Sequence, residues 1–157
     1  MINRYELEER ESRVDRKKLE ILKTRIFRAQ NTIDLGFFEL MKTISEILNS
    51  KLYRLDNMIF KEFCEIKLNM SYKTVNGLLK IHEIVGKYPK QFTEKIVIEF
   101  GHRKMKTITY GIVRIENAIP ISAKATSRVL KLVSKISPDM SSPEIDELVK
   151  NETLRLP

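Results

Sequence analysis

Apolar residues recur at intervals of three and four along most of this chain, which is the spacing of one face of an α-helix. Glycine and proline are scarce, with five of each among 157 residues. The three longest proline-free stretches carry this helical spacing rather than the alternation typical of strands. The chain is therefore predicted to be all-α.

The first fifty residues carry the longest such pattern. Its apolar positions are Leu19, Leu22, Ile26, Ala29, Ile33, Phe37, Leu40, Ile44 and Ile47. They predict either one helix over about residues 4–49 or two helices joined within 31–36. Gly36, with Thr32 and Asp34 as caps, favours the break.

Upstream of Leu19 the apolar residues thin out to Tyr5, Leu7 and Val14 among dense charges. Such a composition cannot bury itself, so the segment is expected either to be a solvated charged arm or to pair with a second chain as a dimerisation helix. A third arrangement folds this helix back on residues 102–136 of its own chain. The sequence leaves these alternatives open.

Two shorter helices are predicted next. Asp56 can cap a helix over about 57–68, and Ser71 can cap a second one over about 72–85. Gly86 is expected to end the second helix, and the proline that follows prevents its continuation. Two helices joined by the short turn Asn69-Met70-Ser71 predict a helix-turn-helix at 57–85.

The rest of the chain predicts further helices. One helix runs from Thr93 to about Phe100 and is ended by Gly101. The next helix carries a stripe of apolar residues and is ended by Pro120. The members of this stripe are Met105, Ile108, Ile112 and Ile115. Ser122 begins another helix, which ends at Ser137-Pro138. The residues of this helix predicted to face the core are Val129, Leu130, Leu132, Val133 and Ile136.

A final helix is predicted from Ser142 to about Asn151, with Pro143 at its first position. The predicted organisation is an N-terminal helix or arm at 1–33, a helical domain at 34–151 and a tail at 152–157.

Charge changes the picture because it is unevenly distributed. The net charge is +8, and residues 51–135 alone hold 17 basic and 7 acidic side chains, a net charge of +10. A concentrated positive field favours a polyanionic partner such as nucleic acid or an anionic membrane. Neither a signal peptide nor a membrane span is recognisable, so we expect a cytoplasmic protein without a membrane partner.

The helix-turn-helix is the most specific feature of the sequence. Such motifs need a residue that tolerates positive φ at the turn, and Asn69 meets this requirement. Apolar residues lie where the two helices should meet, namely Cys64, Leu68, Met70, Val75 and Leu78. One departure is Glu65, at a position that usually needs a small side chain, and it predicts a wider helix crossing or a register one residue away.

The outer face of the second helix is equipped to meet double-stranded DNA. Asn76 can pair with an adenine edge, while Lys73 and Lys80 can reach guanine acceptors or phosphates. Gly77 in mid-helix is easier to explain if another surface approaches the backbone closely. The candidate DNA-binding residues are Lys67, Ser71, Tyr72, Lys73, Asn76, Lys80, Arg103, Lys104 and Lys106. The alternative is a polar surface helix of an ordinary bundle.

The last three candidates belong to the cluster His102-Arg103-Lys104-Met105-Lys106, just after Gly101. A helix start presents free N–H groups, so this cluster could clamp a phosphate. A solvated turn is an equally good interpretation of it.

The segment from Leu40 to Val85 resembles small helix-turn-helix proteins of plasmids and phages. The residues that carry the resemblance are Ser45-Glu46-Ile47, Lys51-Leu52-Tyr53-Arg54-Leu55-Asp56, Phe60-Lys61-Glu62-Phe63-Cys64 and Met70-Ser71-Tyr72-Lys73-Thr74-Val75. It is most similar to replication and partition proteins of spirochaete plasmids, which are similar to the DNA-binding part of ParB-type factors.

The resemblance implies binding of a plasmid site that a partner partition ATPase then segregates, with recognition by Ser71, Tyr72, Lys73 and Asn76. The Gly-Glu-Arg-Arg signature of the ParB nucleotide-binding motif is absent from this chain. Simple site binding without a nucleotide is therefore the expected mechanism.

Catalysis is not expected. The sequence has no glycine-rich phosphate loop, no GxSxG, no HExxH and no Cys-x-x-Cys, so neither an enzyme nor a cofactor or metal site is predicted. The single cysteine, Cys64, is predicted to be a small core residue, and His82 a half-buried surface histidine.

The leading hypothesis is a homodimeric, site-directed DNA-binding protein of plasmid or phage maintenance, in partition, replication control or transcriptional regulation. One alternative is a helical interaction or scaffold protein without nucleic-acid binding. Another is an RNA-binding helical module, for which Tyr72 is the one stacking candidate on the basic face.

Overall fold

A computed structural model describes residues 3–157, with the side chains of residues 3–22, 24 and 36–157. These residues form helices and no strand, so the fold is all-α as predicted. The helices are α1 (Arg4–Ser50), α2 (Phe60–Glu62), α3 (Tyr72–Lys87), α4 (Glu94–Ala118), α5 (Ser122–Ser134) and α6 (Ser142–Leu154). A 3₁₀ turn (Leu52–Asp56) follows α1, and a π-helical stretch (Phe63–Lys67) continues α2 directly.

The core is organised around α4, which packs against α1, α3, α5 and α6. Its predicted stripe of Met105, Ile108, Ile112 and Ile115 is buried. Helices α4 and α6 approach closely at Gly111, where a Cβ would lie 2.7 Å from Val149 Cγ1 of α6. Glycine fits this position best, since any larger residue would force Val149 or its helix to shift.

Helix α1 is continuous from Arg4 to Ser50, so the break favoured within 31–36 is wrong. A single glycine costs a helix only about 1 kcal/mol. Burial of Phe37, Phe38 and Met41 against the core holds the helix together directly after Gly36. An N-cap lies where the chain enters a helix, whereas positions 32 and 34 lie inside α1, so the caps predicted at Thr32 and Asp34 are wrong.

The described side chains of the arm are exposed, including those of Leu19 and Leu22 at 51% and 43%. The helix folded back on residues 102–136 is therefore wrong for this segment. Ile26, Ala29 and Ile33, which belong to the same predicted seam, lie outside the described side chains. Leu40, also placed inward by the pattern, is 40% exposed.

The helix expected at 57–68 is shorter than predicted, and Asp56 does not cap it. Asn57 adopts a left-handed conformation (φ 55°), and the helix begins at Phe60 without a side-chain cap. The rings of Tyr53 and Phe60 pack edge to face with centroids 5.4 Å apart. This contact between the 3₁₀ turn and α2 favours a folded connection over an earlier helix start.

Other helix boundaries agree with the pattern to within a few residues. Gly101 has φ 79° and divides α4 into two helical segments, as expected. Gly86 does not end α3, which continues to Lys87. The cap of α6 is Ser141 rather than Ser142, and α6 runs to Leu154 rather than Asn151. In α5, Leu130 is 37% exposed and not inward.

Candidate nucleic-acid interface

Helix α3 has one buried face and one exposed face. Val75, Leu78 and Ile81 are buried. The side chains of Lys73, Asn76 and Lys80 are exposed at the three-and-four spacing of a single stripe. The three residues predicted to reach bases and phosphates therefore share one accessible surface.

The turn before α3 is built as its sequence requires. Asn69 has φ 51°, a left-handed conformation that asparagine tolerates better than most residues. Ser71 is the N-cap, and its Oγ accepts the Thr74 N–H at 3.2 Å and donates to Thr74 Oγ1 at 2.8 Å. In this structure the exposed Ser71 hydroxyl takes part in the cap.

Two more candidates lie beside this turn. Tyr72 is half-buried, packs against the core, and has the Lys61 Nζ 6.0 Å from its ring centroid. Its ring is therefore part of the packing rather than an open stacking platform. Lys67 is exposed at the end of the π-helical stretch.

The residues predicted to lie between the two helical segments are buried or half-buried. Cys64 is fully buried, and burial, followed by the nearby Glu65 carboxylate, raises the pKa of its thiol. Leu68 and Met70 are half-buried against the same core. Glu65 itself is exposed, so a carboxylate at that position meets no close neighbouring helix. The assignment of these elements as a DNA-binding helix-turn-helix stays a prediction.

The second basic cluster is divided between two sides of α4. Arg103 and Lys106 are exposed, on the same stripe as Tyr110. Lys104 points elsewhere, and its Nζ donates to the Pro138 carbonyl oxygen at 2.9 Å. His102 stacks on the Phe37 ring with centroids 5.2 Å apart. Placing all of this cluster on one phosphate-binding surface is therefore wrong for Lys104 and His102.

The two predicted clusters meet at a groove between α3 and α4. Its volume is about 310 Å³, and residues of both helices line it: Asn76, Gly77, Lys80 and Ile81 from α3, and Lys106, Thr109, Tyr110 and Val113 from α4. The groove is open at Gly77, because a Cβ built there would meet nothing within 4 Å. We refer to it below as the α3–α4 groove. The groove thus joins two basic segments that are separate in sequence into one surface.

The cations of this surface are not neutralised by ion pairs with the described part of the chain. In the part of the chain that the structure describes, Lys73, Lys80, Arg103 and Lys106 form no ion pair. By contrast, Lys87 is held by a carboxylate at the end of α4. Exposed lysines without partners leave their positive field available to an external anion.

Sequence reasoning did not find the α4 side of this surface beyond Lys106. Tyr110 is 60% exposed, and the Arg114 guanidinium carbon lies 5.8 Å from its ring centroid. The signal was present, because Arg103, Lys106, Tyr110 and Arg114 follow three-, four- and four-residue steps. The sequence alone does not indicate that this stripe of α4 lies beside α3.

His82 is placed as the sequence predicts. It is half-buried, and its Nδ1 lies 3.1 Å from the Ser45 Oγ.

Among the described residues no group of three or more His, Cys, Asp or Glu side chains is arranged to hold a metal ion. Across the same residues, none of the helices combines the length and the apolar character needed to cross a membrane.

Comparison of the chain with protein-family models, with curated proteins and with solved structures finds no match. The resemblance to plasmid partition proteins therefore stays a prediction.

Proposed function

We propose that this protein binds double-stranded DNA through the joint surface of α3 and α4. In this proposal α2, the following turn and α3 act as a helix-turn-helix, with α3 as the recognition helix in the major groove. The second half of α4 lies beside it and contacts the phosphate backbone.

The observation that carries the proposal is the joining of two basic segments by the fold. Lys73 and Lys80 of α3 and Arg103 and Lys106 of α4 are exposed and unpaired within the described chain. They come from residues 51–135, whose net charge of +10 exceeds the +8 of the whole chain. Unpaired cations that share one surface repel one another, so such a cluster is expected where a polyanion neutralises it.

Each residue has a distinct expected role. Asn76 is exposed in the middle of the α3 stripe and is the one side chain there that can pair bidentately with an adenine edge. Lys73 and Lys80 lie one turn to either side of it and would reach phosphates or guanine acceptors. Arg103 and Lys106 would contact phosphates, which position the protein without reading sequence.

A homodimer is part of the proposal. Leu7, Val14 and Ile21 are 52%, 66% and 54% exposed and occur at seven-residue intervals, so they follow one stripe of α1. Pairing of this stripe with the same stripe of a second chain would bury it and present two recognition helices to one duplex. The role in plasmid or phage maintenance, and a partition ATPase as partner, come from the sequence resemblance alone.

The alternative function is that of a helical interaction or scaffold protein, and the same exposed arm favours it. In that case the apolar stripe binds a helix of another protein, and the basic surface serves only solubility. Salt separates the two, because phosphate contacts weaken steeply with salt whereas an apolar seam does not.

The test is selection of binding sites from a pool of random duplexes, followed by footprinting of the enriched sequence. Asn76→Ala is then compared with the unchanged protein on the enriched duplex and on a random one. We expect a loss of about 1–3 kcal/mol on the enriched duplex only, with preference relaxed at one base pair.

An equal loss on both duplexes would rule out base reading by Asn76. No enrichment, or tighter binding to single-stranded RNA of the same sequence, would overturn the proposal. Circular dichroism of the variant verifies that α3 remains folded.

A further inference from the structure

The α3–α4 groove has the features of a small-molecule site as well as those of a DNA-facing surface. Ile81 and Val113 contribute apolar walls, while Lys80 and Lys106 line it from opposite helices. Its volume of about 310 Å³ lies at the lower end of the range of ligand pockets. The apolar walls suit a hydrocarbon or aromatic body, and the two lysines suit an anionic head.

Thr109 is the one buried polar residue among those that line the groove. It lines the groove and is 4% exposed, yet its Oγ1 has no hydrogen-bond partner in the part of the chain that the structure describes. Buried hydroxyls are nearly always hydrogen-bonded, because an unpaired one costs stability. The Oγ1 atom itself is covered in this structure, so a rotation of the Thr109 side chain into the groove would let it donate to a ligand oxygen seated between the lysines.

Gly77 keeps the space open. It is in mid-helix, where alanine would favour the helix more, and a Cβ built on it meets nothing within 4 Å. No close packing inside the chain therefore requires glycine here. The absence of a side chain leaves room for an occupant from outside.

We propose that the α3–α4 groove binds a small amphipathic anion, with its apolar body against Ile81 and Val113 and its anionic head between Lys80 and Lys106. Thr109 would donate to an oxygen of that head. Such a ligand would cover Asn76 and Lys80, so it would compete with DNA. That regulatory consequence rests on the proposed function, whereas the binding site itself does not.

The test uses decanoate as the probe, in the full-length protein without DNA, at concentrations below micelle formation. Calorimetry measures its affinity beside those of decanol and decyltrimethylammonium, which share the chain and differ in the head. We expect decanoate to bind at least about tenfold more tightly than either. Equal binding of all three, or no binding of decanoate, would overturn the proposal.

Two variants localise the site. Gly77→Leu fills the groove and is expected to weaken decanoate binding at least about tenfold. The matched control is Gly86→Leu on the same helix, where a Cβ also meets nothing within 4 Å, and its affinity should be unchanged. Equal effects of the two variants would place the decanoate elsewhere and contradict the proposal.

A second set keeps the test decisive if the leucine variant does not fold. Lys80→Gln with Lys106→Gln should remove the preference for decanoate over decanol, and Thr109→Val should weaken decanoate without affecting decanol. Retention of the preference in the double glutamine variant would overturn the proposal. These measurements contain no DNA, so their outcome is separate from that of the DNA-binding experiments.

Discussion

The Lys87 Nζ lies 2.7 Å from a carboxylate oxygen of Glu116, and this ion pair joins the end of α3 to the end of α4. The Tyr88 hydroxyl lies 3.3 Å from the same oxygen. Hydrogen bonding to Glu116 raises the pKa of Lys87, while burial, and then the carboxylate, raise the pKa of Tyr88. The two helices that form the proposed interface are thus fixed to each other at one end.

The first prediction concerns this ion pair. Glu116→Gln should lower the free energy of unfolding by about 1 kcal/mol, a modest figure because the Lys87 side chain is 51% exposed and screened by solvent. Urea denaturation measures it. Glu99→Gln is the matched control, since Glu99 is exposed on α4 and has no ion-pair partner within the described chain. The prediction is wrong if the control loses as much stability.

The second prediction separates stability from binding at Gly77. Gly77→Ala and Gly86→Ala should each stabilise the protein by up to about 1 kcal/mol, because both sites are helical and open. Only Gly77→Ala should weaken DNA binding, because only Gly77 lines the α3–α4 groove. Thermal denaturation and fluorescence anisotropy with a labelled duplex measure the two effects. Unchanged DNA affinity in Gly77→Ala would remove Gly77 from the interface.

The third prediction is a pH dependence at the other end of the bundle. Lys135 Nζ lies 2.5 Å from Glu152 Oε1, and this hydrogen bond is the main reason why the pKa of Glu152 is below its ordinary value of 4.5. A depressed pKa contributes stability above the unfolded value and loses it as pH falls through the folded one.

Glu152→Gln should therefore destabilise the protein at neutral pH, by about 1 kcal/mol since Lys135 is 43% exposed. The difference from the unchanged protein should shrink as the pH is lowered below 4.5. Urea denaturation at a series of pH values measures this difference, and one that stays constant with pH would argue against the ion pair as its cause.

The fourth prediction tests the arm as a dimer interface. Replacing Leu7, Val14 and Ile21 by glutamine should convert a dimer to a folded monomer in sedimentation, because these side chains contribute nothing to the core of their own chain. Binding to paired half-sites should weaken, while binding to one half-site should remain near normal.

The control for the arm is a triple glutamine variant at Leu55, Ile66 and Leu154, which are exposed outside the arm. It should leave the sedimentation coefficient unchanged. A dimer that persists in the arm variant would place the interface elsewhere, and a monomer in the unchanged protein would remove the dimer from the proposal.

Features fixed by local chemistry could be predicted from the sequence. The left-handed Asn69, the cap at Ser71 and the break at Gly101 each depend on the residue itself and its immediate neighbours. The helical spacing likewise gave the all-α class, because one face of most helices must be buried.

Features decided by distant contacts could not be predicted. Asp56 has a good capping side chain, but the Tyr53–Phe60 contact favours a different path. Lys104 is basic like its neighbours, yet its ammonium group donates a hydrogen bond to a carbonyl oxygen 34 residues away in sequence. The α3–α4 groove needs both helices in place, so no single segment of sequence could indicate it.

The most direct test of DNA binding is the salt dependence of affinity for duplex DNA, measured for the unchanged protein and for the variant in which Lys73, Lys80 and Lys106 are replaced by glutamine. Each lost phosphate contact should flatten the plot of log affinity against log salt by about 0.9, so the three together should flatten it by 2–3. A control that replaces Lys95, Lys124 and Lys150, which are exposed outside the α3–α4 groove, should keep the original slope. Equal flattening by both triple variants, or a slope that neither variant changes, would contradict the proposed interface.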